Sequence, residues 1–178
     1  PEWVLRDADG SMLYIPFGCS SGTCPQYAAD IGDQNFRNWW MDSLASVMSA
    51  GYIGVWVDDV NLKWKVGNGN GYTVIPMDRR TGARMTYADY QRYFAEFMEQ
   101  VRSRFPDAEI AHNLIWSTEP ADGNDQYLVR EILAADYINL ERGVTDNGIK
   151  GGSGTYGFET FLKFIDRVHS LGRNVILD

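Results

Sequence analysis

The apolar residues Phe36, Trp39, Trp40, Leu44, Val47 and Met48 recur at helical spacing. Asp33 or Asn35 stands where such a helix wants a side-chain acceptor for its first N–H groups, and Gly51 follows its end. Over residues 52–57 the pattern changes to a short apolar run without polar alternation, the mark of a strand buried on both faces, and it ends in Asp58-Asp59. A long loop is expected over 61–85. A second helix then opens at Thr86, with Tyr90, Tyr93, Phe94, Phe97 and Val101 on one face, and Pro106 closes it. The unit repeats as a strand over 108–116, a helix over 125–135 and a strand over 137–141. A Gly-rich loop over 148–157 leads to a helix over 158–171, stopped by Gly172, and a strand over 174–178. Upstream, extended pieces at 3–6 and 12–15 flank the turn residues Asp7-Ala8-Asp9-Gly10 and read as a hairpin.

Strand and helix alternate along the chain, so the fold class is α/β with a parallel sheet. A doubly wound sheet would carry a Gly-rich phosphate turn between a strand and its helix. The nearest match, Gly67-x-Gly69-x-Gly71, lies inside the long loop instead. A (β/α)8 barrel of the TIM type puts polar residues at the C-terminal ends of its strands and long loops after them. Here the strand ends deliver Asp58-Asp59, His112-Asn113, Glu141-Arg142 and Asp178. A whole barrel takes about 250 residues, so 178 residues correspond to a partial barrel of roughly five strands. The expectation is a single domain over 1–178.

Composition narrows the class. With 44% hydrophobic and 22% charged residues the chain belongs with folded globular domains. A net charge of −8 without a dense Lys/Arg cluster argues against nucleic acid as a partner. No apolar run reaches the roughly 18 residues of a membrane-spanning helix. Cys19 and Cys24 stand in a Gly/Ser-rich loop and suit a small disulfide, hence a secreted or cell-surface location. The histidines, His112 and His169, show no metal-ligand spacing, so no zinc site and no cofactor is expected. Pro1 and the strand-like 174–178 are the ends expected of a fragment of a longer chain.

Alternation along the strands picks the candidate chemistry. Asp58 shares a face with Gly54 and Trp56, and Asp59 the opposite face with Val55 and Val57, whose β-branched side chains suit packing under helices. Asn139 and Glu141 share one face, with Ile138 and Leu140 on the other. Asp58 and Glu141 therefore project into one mouth. Two carboxylates flanking a bond are what glycoside hydrolysis needs: one protonates the leaving oxygen, and the other attacks the anomeric carbon or activates water. Asn113 is expected to hold a sugar hydroxyl or orient a carboxylate, with the plain anchoring of a loop as the alternative. His112, of opposite parity, is expected as a packed histidine. Trp56, Trp64, Trp116 and Tyr72, at or beyond strand ends, are candidates for stacking on a sugar ring. Asp59, at the exit of its strand, is expected to brace a neighbouring loop or to contact substrate, and Asp178 to position substrate.

The phrase Gly51-Tyr52-Ile53-Gly54-Val55-Trp56-Val57-Asp58-Asp59-Val60 resembles one that recurs in (β/α)8-barrel glycoside hydrolases. It looks closest to the hypothetical glycosyl hydrolase family 15 group and is more remotely similar to the endo-α-1,4-polygalactosaminidases. Residues 1–10 and Asn35-Phe36-Arg37-Asn38-Trp39-Trp40 fit the same pattern; Ile53 stands where family members often carry Asp. The resemblance implies a barrel enzyme with Asp58 and Glu141 as its catalytic carboxylates and strands preceding Pro1.

The functional expectation is a glycoside hydrolase acting on a polysaccharide or oligosaccharide. Asp58 is its nucleophile or base and Glu141 its general acid. Two rivals remain in view: a carbohydrate-binding barrel without catalysis, and a metal-dependent hydrolase using Asp58, Asp59 and Glu141 as oxygen ligands.

Overall fold

The computed structural model describes residues 2–60, 66–114, 125–141, 149–152 and 157–177. Helix α1 (Gln34–Met48) starts where the Asp33 carboxylate accepts the N–H groups of Asn35 and Phe36. Strand β1 (Gly54–Val57) follows, then the short pair β2 (Met77–Asp78) and β3 (Ala83–Arg84). Helix α2 (Tyr87–Arg104) opens on a reciprocal cap. The Thr86 hydroxyl accepts the Asp89 N–H, and the Asp89 carboxylate accepts the Thr86 N–H. Strand β4 (Glu109–Leu114), helix α3 (Gln126–Ala134), strand β5 (Tyr137–Leu140), helix α4 (Phe158–Ser170) and strand β6 (Asn174–Leu177) complete the order.

Strands β1, β4, β5 and β6 form one parallel sheet, side by side in chain order. The parallel sheet thus has four strands among the described residues, the four that the apolar runs named, where chain length alone suggested about five. Alternation sends Val57, Ile110, Leu114, Ile138 and Leu140 to one face, into a core with Phe94, Phe97 and Met98 of α2, Leu128 and Ile132 of α3, and Phe161 and Phe164 of α4. Gly54 is dictated by strand contact, since a Cβ there would run into the Glu109 carbonyl oxygen.

The expectation that residues 52–57 are buried on both faces does not hold. Trp56 is 52% exposed, and Tyr52 and Ile53 lie outside the strand and exposed. The four described helices all contribute to the core on the Val57 side. The other face carries Gly54, Trp56, Ala111, Tyr137 and Ile176 around an open groove of about 390 Å³. An apolar run therefore marked a strand correctly but not its second layer.

The segment expected as a plain loop, 61–85, contains the β2–β3 pair and joins the N-terminal residues in a second small unit. Its bridges run Val4 to Ala29, Arg6 to Met12, Tyr14 to Tyr27, and Tyr14 to Gly67. Arg6 to Met12 closes the expected hairpin. The disulfide joins Cys19 and Cys24 within this unit. Leu5, Leu13, Ala28, Val66, Met85 and Tyr93 form its own apolar core. A buried polar clasp ties it to α2: Arg80 bridges Asp30 (3.0 Å) and Asp78 (2.8 Å), and the Tyr93 hydroxyl donates to Asp78 (2.7 Å). Gly32 makes room for it, because a Cβ there would meet the Arg80 guanidinium at 2.6 Å.

Candidate active site

The C-terminal ends of three neighbouring strands converge on one amide. Register pairs Val57 with His112 and Asn113 with Asn139, so Asp58 just beyond β1 and Glu141 just beyond β5 flank Asn113 of the middle strand. Backbone bonds continue the ladder into this region, from Val60 N–H to the Asn113 carbonyl (2.9 Å) and from Glu141 N–H to the Leu114 carbonyl (3.3 Å). Asn113 Nδ2 donates to Asp58 Oδ1 at 2.6 Å and to Glu141 Oε2 at 3.0 Å. Two contacts from one nitrogen hold those oxygens within about 5.6 Å of each other. Asp58 Oδ1 also accepts the Asp59 N–H at 2.9 Å.

Neither carboxylate forms an ion pair with any described residue. Asp58 is exposed and Glu141 half-buried, so both are reachable from solvent, whereas Asn113 beneath them is buried. The sequence assigned no role to Asn139. It is 1% exposed and donates its Nδ2 to Asn113 Oδ1 at 2.7 Å. The available signal was the recurrence of Asn on the same face of two successive strands.

Asp59 stands at the exit of the strand, as expected: its φ of +54° takes the chain out of β1, a conformation that Asp tolerates better than most residues. It lines an apolar cavity of about 200 Å³ with Leu5, Ile15, Tyr27, Val66 and Phe94, between the N-terminal unit and α2. Among the described residues no three His, Cys, Asp or Glu side chains gather into a group suited to a metal ion. Trp56 shares the face of Asp58 and opens onto the groove. Tyr72, 70% exposed, sits on the second unit and takes no part in the hydrogen bonds of the pair. Trp64, Trp116 and Asp178 lie outside the described residues.

His112 is the packed histidine its parity implied. It is fully buried on the helix side of β4, near the Glu131 backbone carbonyl, but neither ring nitrogen reaches hydrogen-bond geometry. Burial, reinforced by the charge of Arg102, pushes its pKa down to about 3. Arg102 itself clamps Asp136 at 2.5 Å. Burial alone would raise the Asp136 carboxyl, but the Ile110 N–H and Arg102 hold it below its usual range. No family model and no curated protein matches the chain.

Proposed function

We propose that this chain is a glycoside hydrolase of the (β/α)8-barrel type, with Asp58 and Glu141 as its catalytic carboxylates. The observation that carries the reading is the single Asn113 amide bonded to both carboxylates while no described cation neutralises either. A purely structural acid at a strand end is expected to find an Arg, a Lys or a helix N-terminus. This pair is instead fixed in direction and open to solvent. The barrel part of the proposal draws on strands laid side by side in chain order with their helices packed on one face. The open face with Trp56, Ala111 and Ile176 is then the one turned toward the barrel interior.

A near-oxygen separation within about 5.6 Å favours the retaining mechanism, in which the carboxyl groups stand ~5–5.5 Å apart, over the ~6.5–9.5 Å of inversion. In the first step an Asp58 oxygen attacks the anomeric carbon and the bond to the leaving oxygen breaks. Glu141 gives its proton to that oxygen. In the second step Glu141 takes a proton from water, and the water oxygen displaces Asp58 from the glycosyl ester. Both carboxyl groups return to their starting states. Asn113, with both amide hydrogens committed, orients the pair rather than holding a sugar hydroxyl. The substrate is a polysaccharide or oligosaccharide, and the disulfide is compatible with a secreted or cell-surface setting.

The test is release of new reducing ends from a panel of neutral, acidic and amino-sugar polysaccharides. Wild-type protein should cleave at least one. Asp58→Asn should lower kcat on the order of 10⁴-fold or more, and Glu141→Gln by about 10²–10⁴-fold. A fully active double variant would sink the proposal. Glycan binding without turnover in wild type and variants alike would favour the non-catalytic barrel.

A further inference from the structure

We infer that Asn139, buried under the carboxylate pair, is a positioning residue that sets the direction of the Asn113 amide and through it the placement of Asp58 and Glu141. The inference rests on the hydrolase reading only for its consequence in turnover; the hydrogen-bond relay stands apart from it.

An asparagine side chain can turn its amide plane over and exchange donor for acceptor at little intrinsic cost. Asn113 has two ionisable acceptors on one side, Asp58 and Glu141. If its Oδ1 faced them, both contacts would oppose acceptor to acceptor. On its other side Asn139 offers an N–H at 2.7 Å, which only Oδ1 can accept. The three bonds thus agree on one orientation. Asn139 and Asn113 are register partners on adjacent parallel strands, so the relay is anchored in the sheet and not in a loop. With Asn139 1% exposed and Asn113 8% exposed, a mismatched amide there would be costly. Each carboxylate thereby receives one hydrogen of a single buried NH2 group. The pair keeps a fixed spacing without a neutralising cation from the described residues.

Asn139→Asp separates positioning from mere packing, because it keeps the shape and exchanges the amide N–H for a carboxyl O–H. Burial beside two other carboxyl groups opposes ionisation there, so the variant carboxyl stays protonated at neutral pH, donates its O–H to Oδ1 and keeps the native direction. Asn139→Leu keeps the volume and removes the donor.

The experiment is hydrogen exchange of the Asn113 side-chain NH2 in the ¹⁵N-labelled full chain, with the resonance assigned by its loss in Asn113→Ser. Protection is compared with free asparagine at the same pH. Wild type should show two inequivalent protons, protected at least tenfold at pH 7. Asn139→Asp should keep that protection at pH 7, while Asn139→Leu loses it. On any glycan that wild type cleaves, Asn139→Leu should lower kcat at least tenfold with KM within twofold, and Asn139→Asp should restore most of that loss. Unchanged protection in Asn139→Leu overturns the relay, and so does an equal loss in the two variants. If Asn139→Leu does not fold, the same comparison on Asn139→Ala decides. An intact relay in a protein that cleaves no member of the panel would refute the hydrolase and leave the positioning role in place.

Discussion

Asp30 and Asp78 form one pair of carboxylates in this protein, Asp58 and Glu141 another, and the two are satisfied by different chemistry. Asp30 and Asp78 are each 1% exposed and share the Arg80 guanidinium, with the Tyr93 hydroxyl as a further donor. Asp58 and Glu141 are reachable from solvent and share the neutral Asn113 amide. Two buried anions need a counter-charge, since desolvating them uncompensated costs several kcal/mol per ion. Two solvent-reachable carboxyl groups need only direction. The first arrangement locks the N-terminal unit to α2. The second leaves two carboxyl groups accessible at the ends of three strands, where the proposed reaction needs a nucleophile and a proton donor.

That contrast is broken most directly at the site itself. Asp58→Asn and Glu141→Gln should lower turnover as stated above while changing stability in urea little, within the ±0.5 kcal/mol typical of surface changes. A loss above about 2 kcal/mol in either variant would put this pair in the same structural class as Asp30 and Asp78. Arg80→Met should do the opposite. It strands two buried carboxylates and should cost about 3 kcal/mol, the low end for a broken buried pair because Arg80 is itself 31% exposed. Adding Asp30→Asn and Asp78→Asn to it should recover part of that loss in a denaturation series. No recovery would mean that Arg80 acts through packing over the Tyr93 ring, 4.1 Å away, and not through charge.

His112 sharpens the comparison as a buried base kept uncharged. Its folded pKa of about 3 lies below the ordinary value of about 6.5 for an unfolded chain. The unfolded state therefore binds the proton first. The contribution is complete above pH ~6.5 and is lost as pH falls from there toward 3, by up to about 1.4 kcal/mol per pH unit. His112→Leu should flatten the stability profile between pH 6.5 and 4.5 by about 2 kcal/mol; an identical acid slope in the variant would refute the assignment. The smallest effect is expected at Thr86, where the cap of α2 supports the helix that carries Tyr93. Thr86→Ala should lower stability by about 1 kcal/mol without altering turnover, read from melting curves and rates together.

Much of this could be read before any coordinates. The helix starts near 33, 86 and 125 follow from the apolar spacing and from polar residues at the first turn, although the choice of Asp33 over Asn35 as the cap came from the structure. The four parallel strands follow from apolar runs alternating with amphipathic stretches, and the shared face of Asn139 and Glu141 from period-two parity. The Cys19–Cys24 bond followed from spacing and loop composition. Such signals are local: each depends on residues within a turn or a strand of one another, so the sequence alone determines them.

The amide bridge was decided elsewhere. The sequence offered Asn113 a carboxylate to orient but did not choose between that, a sugar hydroxyl and a loop, nor say that it would meet both 58 and 141, because those contacts span 55 and 28 positions and depend on strand order and register. The clasp of Arg80 to Asp30 is equally non-local, spanning 50 positions, and the segment around it was read as plain loop. The face of β1 left open at Trp56 depended on which elements packed there, which an apolar run cannot encode. Local sequence set the elements, the caps and the parity of each carboxylate. Only the tertiary structure chose the partners, because hydrogen-bond geometry between distant residues exists only once the strands lie side by side.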